Sequence, residues 1–142
     1  MDGVVLATSL KANSRANKFA GHKGPVYGVS INPSNTLIAS CSRDTTIRIW
    51  NNNASAKSTV IKGHSAPVKS VDFNADGRML ITASDDKLVK TWSVEDSKFL
   101  QTFSGHQNWV KSAVFSHDSR MIASGSDDRT VRLWDCNVGR QI

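Results

Sequence analysis

Apolar and polar positions alternate along this chain in short runs that recur at a fixed distance. VYGVSI follows Pro25, VKSVDF follows Pro67 and VKSAVF follows Trp109. Such short β-branched and aromatic runs suit strands. Each is followed by a polar stretch that tolerates tight turns: NPSN at 32–35, NADG at 74–77 and SHDS at 116–119. TLIASCS, RMLITAS and RMIASGS then predict a second strand, and TIRIW, LVKTW and VRLW a third. In the third, Ile47, Val89 and Val131 alternate with Arg48, Lys90 and Arg132, the period of two expected when one face turns inward. Beyond polar connections such as NNNASAK, the runs STVIK and FLQTF supply a fourth. No segment sustains an apolar stripe at helical spacing. The pattern predicts an all-β protein made of four-stranded antiparallel meanders.

Individual residues keep the same step. Gly-His falls at 21–22, 63–64 and 105–106, tryptophan at Trp50, Trp92 and Trp134, and aspartate at Asp2, Asp44, Asp86 and Asp128, each 42 residues after the last. Several landmarks sharing one period identify a repeat protein. The repeat divides the chain into residues 1–22, the last two strands of an incomplete unit, and the units 23–62, 63–104 and 105–142, the last with a short C-terminal strand. Asp2 aligns with Asp44, and Thr8 stands where later units have tryptophan. The strand total expected is fourteen. A lone four-stranded sheet cannot bury both faces, whereas sheets arranged radially cover one another.

Here the chain resembles the WD-repeat β-propeller family, whose repeat carries GH near its start and WD near its end. Only Trp134-Asp135 is a literal WD; Trp50-Asn51 and Trp92-Ser93 differ in the second letter. The resemblance covers the whole chain and implies a partial propeller of about three and a half blades, part of a seven-bladed ring. Met1 aligns with the turn residues Arg43, Asp85 and Asp127, so the expectation is a fragment of a longer propeller, with bare strand edges and apolar faces.

The resemblance also bears on the histidines. Each unit places a hydroxyl residue 18, an aspartate 22 and a tryptophan 28 residues after its histidine. The sets are His22, Ser40, Asp44, Trp50; His64, Thr82, Asp86, Trp92; and His106, Ser124, Asp128, Trp134. Histidine, serine and aspartate together suggest a charge relay, but such a site occurs once, with an exposed nucleophile and an oxyanion hole. Three copies at constant spacing instead match the family's structural hydrogen-bond tetrad, in which a buried imidazole has both nitrogens satisfied. The pairs Asp85-Asp86 and Asp127-Asp128 each end on a tetrad member, so turn chemistry accounts for them better than a cation site. His117 has no ligand-spaced companion. The expectation is no enzyme, no metal and no cofactor; neither phosphate-loop nor dinucleotide-binding glycine patterns occur.

Composition adds less. Hydrophobic residues make up 39% and charged residues 21%, enough for a core and a polar surface. No apolar run approaches the ~20 residues of a membrane span, and MDGVVLATSLKANS lacks the regions of a secretory signal. Cys41 and Cys136 fit no CxxC or metal spacing, and they read as free thiols in a reducing compartment. The net charge of +6 is uneven: up to Arg43 only Asp2 is acidic, against Lys11, Arg15, Lys18, Lys23 and Arg43. Such a balance favours acidic partners through long-range attraction, with nucleic acid open among them beside acidic proteins, or it only aids solubility.

A narrower resemblance lies in SRDTTIRIW, TASDDKLVKTW and above all KFLQTFSGHQNWVKSAVFS. These are similar to the second to fourth repeats of the centriolar WD-repeat proteins grouped as the proteome-of-centriole family. That similarity implies a non-enzymatic scaffold of cytoplasm and cytoskeleton at centrioles and basal bodies, binding microtubules, tubulin or centriolar proteins and supporting cilium assembly. SHDS in place of SPDG, the missing blades and the absent coiled coil depart from the family. The alternative is a WD-repeat scaffold of an RNA- or chromatin-associated complex. In either case the partner-binding rim is expected at Pro25, Tyr27, Arg43, Pro67, Lys69, Asp85, Trp109, Lys111 and Asp127. Trp109 stands out there because proline takes its place in the other two units.

Overall fold

A computed structural model describes residues 3–8, 17–53 and 57–142; Met1 and Asp2, and with them the alignment of the first turn, lie outside the described residues. Strands β1 (Val4–Ala7) and β2 (Asn17–Ala20) form a two-stranded antiparallel sheet. The second sheet runs in order through β3 (Val26–Ile31), β4 (Leu37–Ser42), β5 (Thr46–Asn51) and β6 (Ser58–Lys62). The third repeats this with β7 (Val68–Phe73), β8 (Met79–Ser84), β9 (Leu88–Ser93) and β10 (Phe99–Ser104). The fourth holds β11 (Val110–Phe115), β12 (Met121–Ser126) and β13 (Val131–Asp135). All pairings between neighbouring strands are antiparallel, and the described residues contain no helix.

One expectation needs correction. Thirteen strands form among the described residues, not fourteen. In the fourth sheet the outermost position is held by a single bridge, Trp134 to Gln141. The turn at Cys136–Val138, followed by Gly139 with a φ of +76°, brings Arg140–Ile142 alongside β13.

The alternation read from the sequence becomes a division of side chains between neighbouring cores. Ile38 of β4 and Trp50 of β5 join Val5 and Phe19 in one cluster. Ala39, Cys41, Ile47 and Ile49, on the opposite face, pack with Val68, Val71, Leu80 and Trp92. Ile81, Ala83, Val89 and Phe103 pack with Val110, Ala113, Ile122 and Trp134. Each core is thus an interface between successive sheets, as radial repetition requires.

The sheets converge along β3, β7 and β11. Ser30 Oγ donates to Asp72 Oδ1 at 2.9 Å, and Ala113 N donates to Ser70 Oγ at 3.3 Å. Gly28 permits the closest approach: a Cβ there would lie 3.0 Å from Cys41 Sγ and 3.4 Å from Ser70 Cα. At the far side of the fourth sheet the face stays open. Val131 is 77% exposed whereas its counterpart Val89 is 0% exposed, a difference that would contribute about 1.5–3 kcal/mol if covered.

Candidate functional site

The tetrad histidines and aspartates lie at the end of the sheets where β3, β7 and β11 begin, and the hydroxyl and indole side chains reach them from within the second and third strands of each unit. In the third sheet His64 Nδ1 is 2.7 Å from Asp86 Oδ2, His64 Nε2 is 2.7 Å from Thr82 Oγ1, and Trp92 Nε1 donates to the same hydroxyl at 2.9 Å. The second sheet has the same arrangement in His22, Asp44, Ser40 and Trp50 at 2.8–2.9 Å. In the fourth, His106, Asp128, Ser124 and Trp134 lie at 2.7–2.8 Å. An ionised aspartate only accepts and an indole only donates, so Nδ1–H donates to the carboxylate and the indole N–H donates to the hydroxyl. The hydroxyl bridges the indole and Nε2, linking all four side chains into one network.

Electrostatics agree with this arrangement. Burial lowers the pKa of His22, and the hydrogen bond to Asp44 only partly offsets it. Burial would push Asp44 upward, but the Thr46 hydroxyl, the N–H groups of Lys23 and Thr46, and His22 hold it down at about 2. Against desolvation in each case, Asp86 is held low by His64 and nearby N–H groups, and Asp128 by the Thr130 hydroxyl, then His106 and nearby N–H groups. No hydroxyl of these chains is an exposed nucleophile: Ser40 and Thr82 are fully buried and Ser124 nearly so. Chemically, each chain staples the loop before a sheet to the turn between its second and third strands.

A second staple has no counterpart in the sequence reading. Ser84 Oγ lies 2.9 Å from the Pro67 carbonyl and accepts from Asp86 N at 3.2 Å. Ser42 does the same with Pro25 and Asp44, and Ser126 with Trp109 and Asp128. The signal was available: a serine stands two residues before each tetrad aspartate in all three units.

The nine residues singled out as a rim surround the same loops. In each unit the strand pairing skips one position, from Val26 to Gly28, Val68 to Ser70 and Val110 to Ser112. The skipped residues are Tyr27, Lys69 and Lys111. A bulge of this kind re-aims its side chain, and here the three side chains lie in a row across the sheets. Lys69 Nζ sits 4.2 Å from the Tyr27 ring centre and 5.8 Å from that of Trp109, and Lys111 Nζ is 5.0 Å from Trp109. Tyr27 remains 40% and Trp109 46% exposed.

Charge on this row is largely balanced. Lys69 Nζ lies 3.5 Å from Asp85 Oδ2, and Lys111 Nζ lies 3.5 Å from Asp127 Oδ2. At the position of those aspartates the second sheet carries Arg43, beside Tyr27 rather than a lysine. Pro25, Pro67 and Trp109 share one backbone role, their carbonyls accepting from the N–H groups of Arg43, Asp85 and Asp127 at 2.9–3.0 Å. The Trp109 backbone thus serves where proline serves elsewhere, and its ring is surplus to that role.

His117 lies at the opposite end of the inner strands, beside a shallow depression of about 290 Å³ lined also by Ile31, Phe73 and Phe115. Among the described residues no three His, Cys, Asp or Glu side chains group so as to hold a metal ion. No helix among them is long and apolar enough to cross a membrane. Both cysteines are free and buried, and burial pushes the Cys41 thiol up to about 12.

A family model described as WD domain, G-beta repeat matches residues 13–51, 55–93 and 97–135. The chain is similar to the SAGA complex/transcription factor TFIID complex subunit Taf5 of Schizosaccharomyces pombe, 36% identical over 44 residues, 31% of this chain and 7% of that protein. It is similar to WD repeat and HMG-box DNA-binding protein 1 of Mus musculus, 38% identical over 50 residues, 35% of this chain and 4% of that one. WD40 repeat-containing protein HOS15 of Arabidopsis thaliana is 38% identical over 50 residues, 35% of this chain and 8% of its own length. The matched segments are thus small parts of these much longer proteins, and the names of these three relatives contain no reference to the centriole.

Proposed function

The chain belongs to the WD-repeat family, and from that membership we propose that it is a non-enzymatic protein-interaction scaffold whose partner binds the rim centred on Trp109. The observation that carries this is the row Tyr27, Lys69, Trp109 and Lys111: exposed aromatic rings alternating with cations, with Tyr27, Lys69 and Lys111 on bulges repeated in three sheets and Trp109 just before the last of them. Exposed tryptophan and tyrosine held by neighbouring cations are the residue types that dominate interface energetics. Since Lys69 and Lys111 are paired with aspartates, the rim offers a partner aromatic surface and hydrogen-bonding groups more than net positive charge.

Two cellular settings suit such a scaffold. The first is the centriole and basal body, with microtubules or centriolar proteins as partners and cilium assembly as the outcome; its support is the similarity of Lys98–Ser116 to centriolar WD-repeat proteins. The second is a chromatin- or transcription-associated complex; its support is the naming of a SAGA/TFIID subunit and an HMG-box DNA-binding protein among the relatives. Microtubule co-sedimentation beside affinity capture with mass spectrometry separates them. Co-sedimentation lost in Trp109→Ala/Lys111→Glu supports the first. Capture of transcription-complex subunits, without binding to microtubules, rejects it in favour of the second.

A further inference from the structure

A cavity of about 620 Å³ lies away from the rim, on the Trp50 face of β5 and β6 in the second sheet, lined by Lys23, Asp44, Thr45, Thr46, Arg48, Val60, Lys62 and His64. Three of its side chains are cationic and one is a carboxylate. That carboxylate is saturated: Asp44 Oδ2 bonds His22 and Lys23 N, and Oδ1 accepts from Thr46 N and Thr46 Oγ1. Both imidazole nitrogens of His64 are likewise engaged, by Asp86 and Thr82. Among the described residues no carboxylate is in ion-pair contact with Lys23, Arg48 or Lys62. This contrasts with Lys69 and Lys111, which the rim neutralises.

The guanidinium is held in place before any ligand arrives. Arg48 lies 5.7 Å from the Trp50 ring centre, and its Nη1 donates to Ser58 Oγ at 2.8 Å. It rests on Gly21, where a Cβ would come within 2.9 Å of Nη1. Its Nε is buried and without an acceptor. Equivalent positions in the third sheet are Ser65, Lys87, Lys90 and Ser104, two cations rather than three, and Lys90 Nζ is tied to the Gly63 carbonyl at 2.7 Å. Unlike the third sheet, the second has lysines at both the loop position before the sheet and the end of its last strand.

We propose that this cavity binds a phosphate monoester carried on a side chain of a protein partner, with Arg48 orienting its oxygens and Lys23 and Lys62 closing over it. Three cations against one carboxylate leave a surplus of two positive charges, which matches the charge of about −1.5 to −2 on a phosphorylated side chain near neutral pH. A planar guanidinium beside mobile ammonium groups is the donor set that phosphate oxygens recruit. The proposal rests on the protein-interaction reading only for the source of the phosphate, and its residues are separate from the rim.

The test is a titration of the full chain, followed by backbone amide NMR, with a short Gly-Ser peptide bearing one phosphoserine. The unphosphorylated peptide, inorganic phosphate and oligothymidylate serve as parallel probes. The phosphopeptide should shift the amides of Lys23, Thr45 and Lys62. Its affinity should fall about tenfold, one charge-assisted hydrogen bond's worth, in Lys62→Glu and in Lys23→Glu. Lys98→Glu, the same charge change at an exposed site outside the cavity, should leave it unchanged, as should Trp109→Ala/Lys111→Glu. No shifts at these amides, or equal losses in Lys98→Glu, would overturn the site. Tighter binding of oligothymidylate than of phosphopeptide would overturn the protein source. Since the rim variant is scored separately, either failure leaves the rim reading standing.

Discussion

Replacing Asp86 by alanine tests whether the buried histidine chains are structural. The His64 side chain is 0% exposed and its Nδ1 faces Asp86 Oδ2 at 2.7 Å. The same carboxylate accepts from Ser65 N at 3.3 Å and Leu88 N at 3.0 Å. Alanine strands the imidazole donor in an enclosed site, costing about 1–3 kcal/mol, and removes two further bonds near the surface that water replaces in part. The expected loss is about 2–4 kcal/mol, which lowers the melting temperature by roughly 6–12 °C for a chain of this size. Urea denaturation followed by tryptophan fluorescence measures it, with Glu95→Ala, an exposed substitution in a turn, as the control expected to stay within about 0.5 kcal/mol. An Asp86→Ala midpoint indistinguishable from the parent would refute the structural role of the tetrad.

Acid should destabilise the protein in a defined window. Asp44 has its pKa depressed to about 2 from an ordinary 3.8, so its contribution is complete above the ordinary value and is lost as pH falls through the folded one. His22, neutral and lowered, adds in the same direction as pH falls below its ordinary 6.5; urea midpoints measured from pH 7 to pH 2 should flatten in Asp44→Asn. Ser84→Ala should cost about 1 kcal/mol by urea midpoint, since it removes the link between the Pro67 carbonyl and the Asp86 N–H. Gly28→Leu should destabilise by about 1–3 kcal/mol or more in the same assay, because the side chain must displace Cys41 and β7. The Cys41 thiol, pushed up to about 12 by burial, should resist iodoacetamide at pH 8 until urea unfolds the chain, as mass spectrometry of the alkylated protein would show.

Much of this architecture could be read before any coordinates. The strands were legible because their alternation decides which side chains enter which core: Ile38 with Trp50 on one face, Ala39 and Cys41 on the other. The spacing of His64, Thr82, Asp86 and Trp92 was legible because hydrogen-bonding side chains at constant separation recur in three units. The bulges at Tyr27, Lys69 and Lys111 were not, since a skipped pairing leaves no mark on a period-two pattern. Nor were the ion pairs that neutralise the rim: Lys69 and Asp85 are separated along the chain and meet only through the bulge. The basic cavity escaped for a related reason, because Lys23, Arg48 and Lys62 come from three different segments. The short C-terminal strand expected of the last unit is represented by a single bridge, Trp134 to Gln141.

Partner binding per folded molecule, compared between two variants, most directly tests the separation of scaffold from binding surface. Asp86→Ala should lose stability and retain the parent's affinity once the folded fraction is counted. Trp109→Ala/Lys111→Glu should melt within about 2 °C of the parent, as exposed substitutions do, and lose affinity roughly 30-fold, the effect of truncating an interface anchor worth about 2 kcal/mol. The opposite outcome, full affinity in the rim variant with affinity lost from correctly folded Asp86→Ala, would contradict the account.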